Sequence, residues 1–534
     1  MKLTDTGLQE RSKWEAKGYI LPSFDRGAMQ HNTKENPIWV HFGAGNIFRV
    51  FPAALQQQLL NRGLSKAGII VGEGFDYQII DKVYAKHDNL TLMVTLKSDG
   101  SIDKEVIASV AYAYKCDPRF EQEWKFFTET FTKPSLQMVS FTITEKGYSL
   151  KGGNGEYYPQ IVEDLANGPA KPTMFLSKLT ALVYKRYQAK AGKLALVSMD
   201  NCSHNGQKLY EAVIDIASTW EQKGLVEKGF CAYLDNDVAF PWSMIDKITP
   251  RPDAKVEAML KADGFEDTNL VITDKNTYTA SFVNAEQSQY LVIEDLFPNG
   301  RPPLQEAGVY FTDRDTVNKV ERMKVTTCLN PLHTALAIYG CLLGHTLISE
   351  EMQDVELKKL VEGIGYTEGM PVVVDPKILN PKDFISEVLE KRFPNPFMPD
   401  TPQRIATDTS QKLAIRFGET IKAYVADPKL DVKNLKLIPL VFAGWLRYLM
   451  AIDDELNSFT PSPDPRLQEA QAYVKDIKIG DKPSMDQLKG LLSDATIFGV
   501  DLLEVGLADL VLSYFTSLIE GKGAVRRTLQ RYVH

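Results

Sequence analysis

IWVHFGAGNIFRVFPAALQQQLLNRGLSKAGIIVGEG, residues 38–74, decides the fold. Residues 38–42 are a short apolar run that ends in Gly43-Ala44-Gly45. Residues 51–63 then carry apolar side chains at helical spacing and stop at a glycine, and 68–74 is a second apolar run. Strand, glycine turn, helix and strand make a βαβ unit, and hence a parallel sheet. A turn in that context suits a dinucleotide. One glycine permits the tight turn and a second lets backbone approach a pyrophosphate at the helix N-terminus. Gly43, Ala44, Gly45, Asn46 and Ile47 are therefore the candidate cofactor-binding stretch. Phe48 occupies the place of the third glycine of GxGxxG, so a plain strand-to-helix turn explains the motif equally well. Glu73 follows the second strand, where a carboxylate accepts hydrogen bonds from ribose hydroxyls and repels a 2′-phosphate. That favours NAD over NADP, with Asp76 a rival for the role.

Outward from this unit, TLMVTL (91–96) and EVIASVAYAY (105–114) flank the turn SDGS and suggest a hairpin. Further strand candidates are 137–143, 194–199, 229–234, 269–274 and 290–295. From about residue 317 long helical patterns dominate, at 332–347, 382–393 and 499–520. A segment rich in proline and glycine, FPNGRPPLQEAG (297–308), precedes the change. The expected organisation is an α/β, Rossmann-like domain with a mostly parallel sheet over 1–316 and a mainly α-helical domain over 317–534.

The 534 residues hold 44% hydrophobic and 24% charged side chains, which suits a globular chain and not a disordered one. A formal net charge of −8 offers no general basic face for nucleic acid. No stretch reaches the roughly 18 apolar residues of a membrane span, and the first twenty residues lack the apolar core of a signal peptide. The five cysteines form no CxxC pair, so neither a disulfide framework nor a zinc site is suggested. These features predict a reduced, cytoplasmic protein that holds no metal.

The chemistry concentrates in MKVTTCLNPLHTALA (323–337). Asn330 and His333 are three apart and share a face if the segment is helical. Pro331 would then be the first helical residue and Asn330 its cap, and capping alone explains that asparagine. A satisfied buried histidine explains His333 as well as a ligand role does. Lys324 precedes the helix. A lysine in a dry setting serves general acid–base work, because desolvation favours its neutral form. Asn201, in VSMDNCSHNG (197–206), directly follows a strand, where a side-chain amide can meet substrate oxygens; turn formation is the alternative.

Together these segments resemble the polyol-specific long-chain dehydrogenases, the mannitol dehydrogenase family. HFGAGNIFR (41–49), FTITEKGY (141–148), the SMDN and HNG pair, AFPWSMIDKITP (239–250), FPNGRPP, RFPNPFMPDTPQRIA (392–406) and GWLRYLMAIDDE (444–455) are similar to family blocks and follow the family's order. The resemblance implies an NAD-dependent oxidoreductase that needs no metal. It implies Lys324 as acid–base group, Asn201 and Asn330 as donors to the reacting oxygen, and His333 as a substrate ligand. It places Asp246 and Arg404 in the substrate pocket.

Three departures stand out. Five residues (VTTCL) separate Lys324 from Asn330 where the family has four, and one extra residue rotates a helix by about 100°. The linker must therefore bulge, or the lysine must reach from a different place. Pro331 replaces a small residue, and Ile245-Asp246-Lys247 replaces Val-Asp-Arg. Within the family the chain is most similar to the branch acting on the sugar acids D-mannonate and D-fructuronate. Mannitol, tagaturonate, and a non-redox epimerase or binding protein on the same fold stay open. A uronate carboxylate needs a cation, and Arg404, Arg251 and Lys247 are the candidates.

Overall fold

Residues 38–74 form strand β1 (Trp39–Phe42), helices α1 (Asn46–Val50) and α2 (Pro52–Asn61), and strand β2 (Ile69–Glu73) in the computed structural model, which describes residues 1–533. Both strands are buried along their whole length. Val40 and Phe42 face one core and Trp39 the other, so the sheet is covered on both sides and the strands read as continuous apolar runs. The sheet is completed by β3 (Val110–Lys115), β4 (Met138–Phe141), β5 (Leu194–Ser198) and β6 (Val238–Ala239). Its order is β3-β2-β1-β4-β5-β6, and every neighbouring pair is parallel. That order winds two βαβ halves outward from the β1–β4 boundary, and ligands bind such sheets at the carboxyl ends of the strands there. Helices α3 (Glu121–Phe131), α4 (Phe175–Gln188) and α5 (Asn205–Gln222) bury Phe127, Leu182 and Trp220 against one face. Helix α2 puts Leu55 and Leu59 on the other.

The chain divides into two compact units: Met1–Leu96 with Ser101–Asn318, and Lys97–Gly100 with the residues from Lys319 onward. The first unit also holds a four-stranded sheet that includes the hairpin Thr91–Leu96 and Ile102–Ile107. The single run expected over 105–114 is thus two strands, parted at Ser109, and the second of them is β3 at the edge of the main sheet. The run 229–234 is not a strand. Gly229, at φ +100°, opens a helix over Phe230–Asn236, and β6 follows it. Short apolar runs do not distinguish the two states by periodicity. Of 269–274 only Val271–Ile272 pairs.

The second unit is helical. Its core is α6 (Asn330–Leu343), α7 (Leu437–Leu449) and α8 (Ala508–Leu518), with α7 buried from Ile438 to Leu449. Gly344, at φ +77°, stops α6 before the expected 347. The pattern at 499–520 yields a helix only from Ala508. Among the described residues, no helix is long and apolar enough to cross a membrane.

Candidate functional site

The turn between β1 and α1 is built from backbone constraints. Gly43 has φ +104°, and a side chain there would lie 2.1 Å from the carbonyl oxygen of Thr142. Only glycine fits. Gly45 differs: its backbone is extended, and a Cβ would meet no atom within 4 Å. Nothing in the protein's own packing demands glycine at 45, yet its absent side chain leaves open space at the start of α1, whose first turn no side chain caps. That is the room a pyrophosphate needs to reach backbone N–H groups, so the residues present fit a dinucleotide. Asn46 ties the turn sideways: its Nδ2 donates to the Tyr278 carbonyl at 3.2 Å, and its Oδ1 accepts from Thr279 Oγ1 at 2.9 Å. Phe48, in place of the third glycine, is fully buried and stacks on His41 at 4.1 Å. An aromatic contact there replaces close helix–strand packing. His41 bridges Ser140 Oγ and Thr142 Oγ1, and burial draws its pKa down to about 3.

Glu73 is buried, and its carboxylate turns back on the protein. Oε2 accepts from Ala44 N at 2.9 Å; Oε1 accepts from Phe75 N at 2.8 Å and Asp76 N at 3.1 Å. Burial raises its pKa, and the three N–H donors oppose the rise. The residue thus braces the glycine turn against the loop that follows β2. Asp76 is likewise engaged, accepting from Thr277 Oγ1 at 2.7 Å and from Thr273 Oγ1.

Beside this turn is a cavity of about 330 Å³. Ile47, Asn201, Asp246, Lys247 and Thr144 line it, so the structure brings candidates from three separate segments together in the first unit. Asn201 is exposed and Asp246 buried. Lys247 donates to the Glu286 carbonyl at 2.9 Å and Gln289 Oε1 at 3.0 Å, and Arg251 lies 4.1 Å over the Tyr278 ring.

The composition of the sequence left the clamp on this cavity unseen. Thr144 has φ +65° and ψ 159°, a region almost confined to glycine and strained for a β-branched residue. Asp200 holds it there. Its carboxylate accepts from Ile143 N and Thr144 N, both at 2.9 Å, and from Tyr148 Oη at 2.5 Å. In the sequence it showed only as a member of the SMDN block, directly before Asn201.

Lys324, Asn330, His333 and Arg404 belong to the second unit. Residues Lys324–Cys328 form one π-helical turn, closed by Leu329 N donating to the Lys324 carbonyl at 3.1 Å. An i→i+5 turn holds one residue more than an α-helical turn, so the extra residue between Lys324 and Asn330 is absorbed as a bulge. Lys324 is buried. Helix α6 begins at Asn330 with Leu329 as its flanking residue and no side-chain cap. The expected cap is thus shifted by one, and the half-buried Asn330 amide is not spent on capping.

One turn on, His333 packs on Phe393, with ring centroids 5.1 Å apart. Its Nε2 is buried without a hydrogen-bond partner, and Asp400 Oδ2 lies 3.6 Å away. Burial, then Arg416, Arg404, Arg392 and Lys412, push its pKa down to about 3, so the ring is neutral. Arg404 is mostly exposed and pairs with Asp400. Arg416 and Lys412 had no mark in the sequence, and Asp400 stood there only as part of the block 392–406, because the fold alone brings them to His333. Among the described residues, no three His, Cys, Asp or Glu side chains converge as a metal site would need.

Residues 37–306 match the mannitol dehydrogenase Rossmann domain, and residues 316–514 match the mannitol dehydrogenase C-terminal domain. The chain is 54% identical to the D-mannonate oxidoreductase of Thermotoga maritima, over 100% of this chain and 99% of the relative. It is 26% identical to the D-mannonate oxidoreductase of Escherichia coli, over 89% of this chain and 92% of that one. Its fold is similar to Pseudomonas fluorescens mannitol 2-dehydrogenase, solved as a ternary complex with NAD and D-mannitol, with a TM-score of 0.68, 25% identity and 99% coverage of both chains. It is also similar to a substrate-free D-sorbitol dehydrogenase, with a TM-score of 0.77 at 23% identity, over 95% of this chain and 97% of that one. The chain belongs to the mannitol dehydrogenase family of oxidoreductases.

Proposed function

We propose that the protein is an NAD-dependent oxidoreductase interconverting D-mannonate and D-fructuronate. The observation that carries this reading is the full-length 54% identity to a protein named D-mannonate oxidoreductase. The concentration of cations around His333 agrees with an acidic substrate. When bound, the nicotinamide cofactor supplies or takes the hydride. Gly43, Ala44, Gly45, Asn46 and Ile47 would hold it, with Glu73, whose carboxylate is spent on backbone N–H groups rather than turned toward a ribose, bracing the glycine turn.

The chain's own part is acid–base and electrostatic. Lys324 Nζ gives a proton to the carbonyl oxygen during reduction and takes it from the hydroxyl during oxidation. Asn330 donates a hydrogen bond to that oxygen as charge develops, and Asn201 is a donor to substrate oxygens. Such preorganised donors are worth about 2.7–4 kcal/mol each. His333, neutral and with Nε2 unpartnered, bonds a neighbouring hydroxyl. Asp246 and Arg404 hold further substrate oxygens. No step calls for a metal ion, because the lysine serves as the acid.

Product analysis tests the reading. With NADH and D-fructuronate, the purified protein should consume both and form D-mannonate. Reduction of tagaturonate or D-fructose in its place would move the substrate within the family. NADH binding with no reduction of any of the three would overturn the redox reading.

A further inference from the structure

Arg416 is a half-buried cation that the protein's own carboxylates leave unanswered. It sits in the π-helical turn Ala414–Gly418, which packs against the turn that begins at Lys324 and against α6. Its Nη1 donates to Thr334 Oγ1. Thr334 is one residue past His333 and one helical turn past Asn330, and its hydroxyl donates in turn to the Asn330 carbonyl at 3.0 Å. The guanidinium is therefore anchored on the part of α6 that carries both candidate substrate ligands.

Asp400, the carboxylate beside His333, is already paired with Arg404. Arg416 has no carboxylate within ion-pair distance among the described residues, and burial alone draws its pKa down to about 10. A partly desolvated charge without a carboxylate partner is costly, and a bound anion would offset that cost. A guanidinium has five N–H donors in a planar fork, and one of Arg416's is spent on Thr334. The rest match a carboxylate bidentately.

We propose that Arg416 is the specificity-determining residue that grips the substrate's carboxylate, while neutral His333 bonds a hydroxyl of the same molecule. The ligand is then a hydroxy acid of sugar size. A neutral polyol has no group to answer this charge. The inference rests on the sugar-acid reading above and names the residue behind it.

Steady-state NADH oxidation with D-fructuronate and with D-fructose tests it on the wild type, Arg416→Gln and Arg416→Lys. NADH binding and circular dichroism establish that each variant is folded. Arg416→Gln should lose roughly 10²–10³-fold in kcat/KM for D-fructuronate, mostly through KM. Its turnover of D-fructose should be no lower than the wild type's. Arg416→Lys keeps the charge without the fork and should lose about tenfold on D-fructuronate alone; it decides the matter if the glutamine variant does not fold. A glutamine variant within about threefold of wild type on D-fructuronate would overturn the role of Arg416 and leave the activity standing. An equal fall on both substrates would overturn it too, since it would mark a structural effect on α6. A wild type inert toward D-fructuronate would instead take down the sugar-acid reading itself.

Discussion

Two glycines in one turn have different reasons to be glycine, and that difference is measurable. Gly43 is required by the fold, through a positive φ and the Thr142 carbonyl in its way. Gly45 is free of both constraints, so its role is proposed to be room for the cofactor. Gly45→Ala should fold with an unchanged thermal midpoint and bind NADH at least about tenfold more weakly, by fluorescence titration. Gly43→Ala should fail earlier, as reduced soluble yield or a midpoint lowered by several degrees. Equal NADH affinity in Gly45→Ala and wild type would remove the pyrophosphate from this turn. The sequence marks both residues as a motif but does not separate them, because the separation depends on Thr142, about a hundred residues away.

At the scale of elements, legibility followed the length and isolation of each pattern. β1, α2 and β2 were readable because buried parallel strands and an amphipathic helix have distinct periods. The run 105–114 misled because only Ala108 and Ser109, with no glycine or proline, part its two strands, and 229–234 misled because six apolar-rich residues suit either state. The bulge between Lys324 and Asn330 was predictable from the count of residues. Its form, a π turn facing a second π turn at Ala414–Gly418, was not, since that depends on packing. Asn201, Asn330 and His333 were nameable from motifs. The roles of Thr144 and Asp200, although both lie in family-like blocks, and of Arg416 were not, because each depends on a neighbour distant in sequence.

The packing of the short helix Ile348–Glu351 on α6 carries a prediction of its own. Glu351 is fully buried with both carboxylate oxygens unpartnered, and Gly340 gives it space: a Cβ there would lie 1.9 Å from Oε1. Burial raises its pKa well above the carboxylate range. The folded state keeps the proton while the unfolded chain releases it near pH 4.3. The stabilising contribution is therefore complete below that pH and is lost as pH rises toward the folded value. Glu351→Gln removes the titration. Its thermal midpoint should exceed the wild type's by about 2–4 °C at pH 8, with the gap closing toward pH 5. A gap that does not change between the two pH values would show that Glu351 is ionised in the folded protein.

For the whole molecule, one unit supplies the strand ends, the glycine turn and the cavity with Asn201 and Asp246. The other supplies Lys324, Asn330, His333 and the cations around them. The parallel-sheet order and the two matched family domains account for what each unit holds, and the residues around His333 are proposed to set the choice of substrate. That choice is the central claim, and the ratio of kcat/KM for NAD⁺ reduction with D-mannonate against D-mannitol, at matched pH and ionic strength, tests it most directly. The account predicts a preference for D-mannonate of at least about 10²-fold, as expected when a site's charge is satisfied by one substrate and left unpaired by the other. A ratio near one, or a preference for D-mannitol, would contradict it.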